Sequence, residues 1–184
     1  MTVTPGLTGV SGLAGLVVDV PDFPHPGVTF KDLTPLLASP QGLAAAVAGL
    51  VGLAPEGVDV VVALEARGFI FGAPVALGLG VGFVPVRKPH KLPRARLETS
   101  YDLEYGTETI AVHADAVVPG ARVLLVDDVL ATGGTLAAAA DLVARLDAEV
   151  VAAVVVLELS ALGGRSRLHT KGLADVRTLL TDGG

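Results

Sequence analysis

The sequence predicts an α/β protein, a doubly wound and mostly parallel sheet with flanking helices. Three observations predict it. Val58–Leu64, Val81–Val86, Arg122–Val126 and Val150–Leu157 are near-continuously apolar and rich in β-branched residues. Runs of that kind suit strands buried on both faces, as in parallel sheets, rather than strands with one wet face. Segments of helical period alternate with these runs, which is the pattern of βαβ units. The 184 residues suffice for a single domain, because a chain of this size buries about 70% of its unfolded surface.

The elements follow in order. Met1–Leu16 carries little signal, and Asp19–Lys31 holds three prolines and a glycine, which predicts ordered turn and loop. Gln41–Leu53 has Leu43, Val47, Leu50 and Val51 at helical spacing. Phe69–Leu79 reads as a helix with Pro74 in its first turn or at a kink. Gly78, Gly80 and Gly82 imitate a dinucleotide fingerprint, but they precede a strand instead of following one, so a helix C-cap and turn is the better reading. Arg87–Thr109 is the polar part of the chain and reads as a hairpin leaving the sheet, with a mobile tip. Gly134–Leu146 places Leu136, Ala139, Ala140, Val143 and Leu146 on one face. The tail after Leu168 carries no comparable signal.

Composition excludes several classes. Nineteen acidic against 13 basic residues give a formal charge of −6, which disfavours a dedicated nucleic-acid or anionic-membrane binder. The absence of Cys removes disulfides, cysteine-ligated zinc and a Cys nucleophile, and fits a cytoplasmic location. The long uncharged stretches are broken by Gly and Pro, so neither a membrane span nor a signal peptide is expected. The four histidines show no metal-ligand spacing.

The chemistry concentrates in Val123–Thr135, VLLVDDVLATGGT. Here an apolar strand is expected to end in two adjacent carboxylates, Asp127 and Asp128. Ala131, Thr132, Gly133, Gly134 and Thr135 then lead into a helix. Ligands of open α/β sheets bind at the carboxyl ends of strands. A Gly-Gly pair permits close backbone approach, and a helix start offers free N–H groups to an anion. The segment therefore suits a monophosphate, with two acids nearby for sugar hydroxyls or a metal. The alternative is an ordinary capped helix. Walker A and nucleophile-elbow patterns are absent.

VLLVDDVLATGGT is similar to the phosphoribosyl pyrophosphate (PRPP) signature of type I phosphoribosyltransferases. PDFPHPGVTFKDLTPLL at Pro21–Leu37, LEARGFIFG at Leu64–Gly72, RKPHKLP at Arg87–Pro93 and SYDLEYG at Ser100–Gly106 resemble, in order and spacing, the adenine phosphoribosyltransferase family. The resemblance runs from about Val17 to Leu168. It implies the type I fold in one domain, with a small hood at about residues 1–38, and a cytoplasmic homodimer. It also implies transfer from PRPP to adenine, giving AMP and pyrophosphate, with Mg2+ arriving on PRPP and no dedicated protein metal site.

The same resemblance assigns roles. Asp127 and Asp128 would hold the ribose hydroxyls, and Ala131–Thr135 the 5′-phosphate. Glu65, Ala66, Arg67 and Gly68 would form the pyrophosphate loop, which in the family often contains a non-proline cis peptide. Arg67 would face the diphosphate; otherwise it forms a surface ion pair with Glu65. Arg87, Lys88 and Lys91 would neutralise the leaving pyrophosphate, or else make a solvated hairpin face. Glu104 and Tyr105 would be catalytic, on a segment (Leu97–Gly106) that is disordered or poorly packed without substrate. Val28, Thr29, Phe30 and Lys31 would run along the adenine edge. Phe30 and Leu159 would sandwich the ring, although core packing is an equal reading for Phe30. Two functional alternatives remain at this stage: another base, such as xanthine or orotate, or a PRPP-sensing regulator without catalysis.

Overall fold

The computed structural model describes residues 10–103 and 106–182. The chain divides into two compact units between Gly49 and Leu50. This point lies inside a helix, beyond the hood boundary expected near residue 38.

The first unit contains α1 (Val10–Ala14), β1 (Val18–Val20), β2 (Phe30–Asp32), α2 (Thr34–Ala38) and the start of α3 (Pro40–Leu53). The strands β1 and β2 pair antiparallel, Val18 with Asp32 and Val20 with Phe30. Sequence alone did not reveal them, because three residues are too few to show a period. The loop between them is held by its own bonds. The Gly27 N–H donates to Asp22 Oδ1 at 2.7 Å, Phe23 N–H to the Val28 carbonyl at 3.1 Å, and the Phe23–Pro24 bond is cis. Gly27 has φ +86°, a conformation glycine adopts at no steric cost.

The second unit is a five-stranded parallel sheet in the order β4-β3-β7-β8-β9. Its strands are β3 (Val60–Leu64), β4 (Gly82–Val86), β7 (Arg122–Leu130), β8 (Glu149–Glu158) and β9 (Val176–Thr181). The helices α4 (Arg67–Leu79), α5 (Gly134–Ala144) and α6 (Gly164–Thr170) connect them. Alternation along β3 sends its residues to opposite faces. Ala63 faces α4, so closely that a Cβ on Gly72 would lie 2.4 Å from the Ala63 Cβ. Val62 and Leu64 join Leu125, Leu136, Leu142 and Val155 in the core on the α5 side. Both faces are thus covered, and the apolar runs are continuous for that reason.

Two expectations are corrected. The strand β7 continues past the two acids to Leu130, because β8 is long enough to pair with it as far as Leu130 opposite Glu158. The tail contributes β9, which closes the sheet beside β8. Pro74 lies inside α4 and not in its first turn, which leaves the kink of the two readings. Gly80, by contrast, is the expected left-handed C-cap of α4, at φ +71°.

The polar excursion is a hairpin of β5 (Arg96–Leu103) and β6 (Gly106–His113), paired in continuous register from Arg96–His113 to Leu103–Gly106. The described residues of Leu97–Gly106, a segment expected to be disordered or poorly packed without substrate, are paired across this hairpin. Arg87 and Ala111 exchange backbone hydrogen bonds of 2.9 and 2.7 Å, which joins β6 to the chain leaving β4.

Candidate active site

The chain goes from β3 through α4 to β4 on one side, and from β7 through α5 to β8 on the other. Strand order therefore reverses between β3 and β7. In open α/β sheets, that reversal leaves a crevice at the carboxyl ends of the strands, where ligands bind. Glu65 follows the last residue of β3, and Asp127 and Asp128 lie near the end of the adjacent β7. A cavity of about 350 Å3, lined by residues that include Asp59, Val60 and Val117, lies at the amino ends of these strands, away from the acids.

Burial acts on both acids. It pushes the Asp127 carboxyl well above the ordinary carboxylate value, and the neighbouring Asp128 charge pushes it further. Burial raises Asp128 as well, opposed by Arg67. Arg67 Nε lies 2.6 Å from Asp128 Oδ2. Asp127 Oδ1 accepts the Asp128 N–H at 2.9 Å. A Cβ on Gly68 would stand 2.8 Å from that same oxygen, so only glycine lets the start of α4 come so near the acid. The expected alternative for Arg67 is thereby corrected: its ion partner is Asp128, not Glu65.

Glu65 is instead the centre of the basic group. It pairs with Arg87 at 3.3 Å and with Lys91, and accepts the Lys88 N–H at 3.0 Å. Partial burial acts against its charge, but these donors outweigh it and hold Glu65 at about 2. The Lys88 ammonium lies 3.3 Å from Glu108, and the Arg87 guanidinium stands over the Phe69 ring at 5.9 Å. Arg87, Lys88 and Lys91 thus converge beside Glu65, the first residue of the Glu65–Gly68 segment. The Glu65–Ala66 peptide is cis.

Ala131–Thr135 form the turn from β7 into α5. Gly133 has φ +75°, and its backbone meets that of Gly164: a Cβ on Gly133 would lie 2.8 Å from the Gly164 carbonyl oxygen. A Cβ on Gly134 would lie 3.1 Å from the Tyr101 ring. Packing within the protein therefore requires glycine at 133 and leaves little room for a side chain at 134. Leu159 follows β8 and is half-buried; its N–H donates to the Leu130 carbonyl at 2.9 Å. The preceding Glu158 is buried and clamped by Arg165 through both carboxylate oxygens.

Val28–Lys31 belong to the first unit. Val28 and Thr29 are exposed, and Phe30 is half-buried with its ring edge-on to Phe23 at 5.3 Å. The Lys31 ammonium pairs with Asp19 at 2.8 Å. Glu104 and Tyr105 lie outside the described residues. Sequence reasoning missed Tyr101, Glu108, Glu158 and Arg165. Tyr101 and Glu108 are directly opposite across the hairpin, and a hairpin register read from the SYDLEYG segment could have paired them.

Comparison with known proteins fits this geometry. The phosphoribosyl transferase domain family matches residues 31–176, which defines the class as a phosphoribosyltransferase. The adenine phosphoribosyltransferase of Cutibacterium acnes is 60% identical over 169 residues, covering 92% of this chain and 96% of the relative. The crystal structure of the Thermoanaerobacter pseudethanolicus adenine phosphoribosyltransferase superposes with a TM-score of 0.89 at 44% identity, covering 94% of this chain and 99% of that one. The Giardia lamblia enzyme complexed with 9-deazaadenine gives a TM-score of 0.90 at 36% identity, covering 96% and 99%. The chain belongs to the adenine phosphoribosyltransferase family.

The raised Asp127 carboxyl has a measurable consequence. A carboxyl raised in the fold contributes its full stabilisation below its unfolded value, near 3.8, and loses it as pH rises through the folded value. Asp127→Asn removes the disfavoured charge and keeps an oxygen to accept the Asp128 N–H. The variant should therefore melt higher than the parent at neutral pH, with the difference shrinking toward about pH 4. Unfolding midpoints across that range check it; a gap that is constant or widens on acidification contradicts the assignment.

Proposed function

We propose that this protein transfers the 5-phosphoribosyl group of PRPP to adenine, releasing AMP and pyrophosphate, a reaction of purine salvage. Family membership supports the activity. The single structural observation that carries it is the meeting, at the β3/β7 strand reversal, of the Asp127–Asp128 pair, the Ala131–Thr135 turn and the Glu65-centred basic group. The residue roles are part of the proposal. Asp127 and Asp128 accept hydrogen bonds from the ribose hydroxyls. Ala131–Thr135 hold the 5′-phosphate with backbone N–H groups and hydroxyls. Arg67, Arg87, Lys88 and Lys91 face the diphosphate, where paired N–H donors suit its oxygens. Backbone groups of Val28–Lys31 read the adenine edge, and Phe30 and Leu159 cover its faces.

Magnesium fits as a companion of the substrate. Among the described residues no three His, Asp or Glu form a metal-binding group, and Asp128 already engages Arg67. Mg2+ characteristically takes phosphate oxygens and waters beside at most one or two carboxylates, so it would arrive on PRPP, held chiefly by the diphosphate. When bound it supplies positive charge against the diphosphate. Among the described residues no helix is long and apolar enough to cross a membrane, and we place the protein in the cytoplasm. We also infer a homodimer. Ile70 and Leu77, 42% and 83% exposed, lie seven residues apart on one face of α4 and offer apolar surface to a second copy.

Incubation with PRPP, Mg2+ and each of adenine, xanthine and orotate tests the activity. AMP should form from adenine alone, and excess chelator should abolish turnover; product from another base, or full turnover in chelator, overturns the reading.

Glu104 is proposed to face the ribosyl centre as positive charge develops there. Glu104→Gln and Glu104→Leu should lower the single-turnover rate by about 10²–10³ while adenine affinity stays near parental. Parental single-turnover rates in both variants make Glu104 a spectator.

Sedimentation equilibrium should give twice the chain mass of 18.5 kDa, and Leu77→Glu should shift the population toward monomer. A monomeric parent refutes the dimer.

A further inference from the structure

One chain of side-chain contacts links two parts of the site that the reaction uses separately. Thr135 Oγ1 donates to the Tyr101 hydroxyl at 3.1 Å. The Tyr101 hydroxyl donates to Glu108 Oε2 at 3.3 Å. Glu108 Oε1 faces the Lys88 ammonium at 3.3 Å. The chain begins at the helix start expected to hold the 5′-phosphate and ends at a cation expected to face the diphosphate. It crosses the hairpin between two residues that are directly opposite, Tyr101 and Glu108.

The ring of Tyr101 adds a second contact. It lies against Gly134, where a Cβ would come within 3.1 Å of Cδ2. The hydroxyl and the ring therefore touch successive residues of the same turn. The strand β5 is tied to α5 once more, where Arg145 Nη1 donates to the Glu98 carbonyl at 2.6 Å. Of these two ties, the one through Tyr101 reaches the glycine turn. Burial, with Glu108 adding to it and the Thr135 bond opposing it, pushes the Tyr101 phenol above its ordinary value, so the hydroxyl keeps its proton at neutral pH.

We propose that Tyr101 is a positioning residue for the 5′-phosphate, its hydroxyl holding the Thr135 hydroxyl toward the phosphate oxygen and its ring closing the turn beside Gly134. Threonine has one hydroxyl proton and two lone pairs, and tyrosine can donate or accept. When Thr135 turns its proton to an anionic oxygen, Tyr101 supplies its own proton to Thr135 in return. Glu108 gives up that donor and keeps Lys88. The bond from Thr135 to the phosphate is then charge-assisted and backed by a second donor. This inference rests on the phosphate reading of Ala131–Thr135 given above.

The test is a double-mutant cycle on the full-length protein, read by calorimetric binding of ribose 5-phosphate, with adenine binding as the control. Tyr101→Phe keeps the ring against Gly134 and removes only the hydroxyl. Thr135→Val keeps the branched shape and removes the other hydroxyl. Each single variant should weaken ribose 5-phosphate binding on the order of fivefold, the worth of one hydrogen bond. In the Thr135→Val background, Tyr101→Phe should have no further effect, and adenine affinity should be unchanged throughout. A role limited to hairpin packing leaves ribose 5-phosphate affinity parental in Tyr101→Phe, and so overturns the inference. Full additivity of the two variants overturns it too, because it makes the hydroxyls independent. If Thr135→Val itself binds as the parent does, the phosphate reading of the turn fails along with it. If only Tyr101→Phe is silent, that reading stands and this inference alone falls.

Discussion

Two adjacent carboxylates inside a buried strand are the constraint around which the second unit is arranged. Charges cannot be taken out of water cheaply, and a neighbouring like charge makes it worse. The fold meets this with the Arg67–Asp128 ion pair, the Asp128 N–H given to Asp127, and raised carboxyls on both acids. Arg67 opens α4, so the position of that helix and the state of the acids are linked. Gly68 permits the approach, since any side chain there would collide with Asp127.

Glu65 solves the converse problem. The protein carries a net charge of −6, yet three cationic residues gather at one end of its sheet. Arg87, Lys91 and the Lys88 N–H gather on one carboxylate. Mutual repulsion among the cations is thereby offset, and Glu65 fixes where they lie. The same carboxylate offsets part of the positive field, so the group is ordered at some loss of positive potential.

Close packing against glycine supplies the precision. Gly133 against Gly164, Gly134 against Tyr101 and Gly72 against Ala63 are contacts that a single added methyl group would disrupt. They bind the turn, the hairpin and α4 to the sheet at short range, where interiors yield little. The Glu158–Arg165 clamp does the same for the turn that carries Leu159.

The sequence by itself determined the α/β class, the parallel sheet and the family, because apolar runs such as Val150–Leu157 and the Val123–Thr135 segment are local patterns of backbone and burial. It also marked Asp127, Asp128 and the glycine turn, whose chemistry lies in contiguous residues. It misjudged the end of β7, since the length of a strand depends on its neighbour β8, and it missed β9, whose pairing partner is about twenty residues away. Only the tertiary structure decided that Arg67 pairs with Asp128 rather than Glu65, and that Tyr101 reaches Thr135, 34 positions on. Such pairs are set by which strand ends meet at the reversal of strand order. A charge or hydroxyl in a linear sequence records its chemistry but not the partner that the fold brings to it.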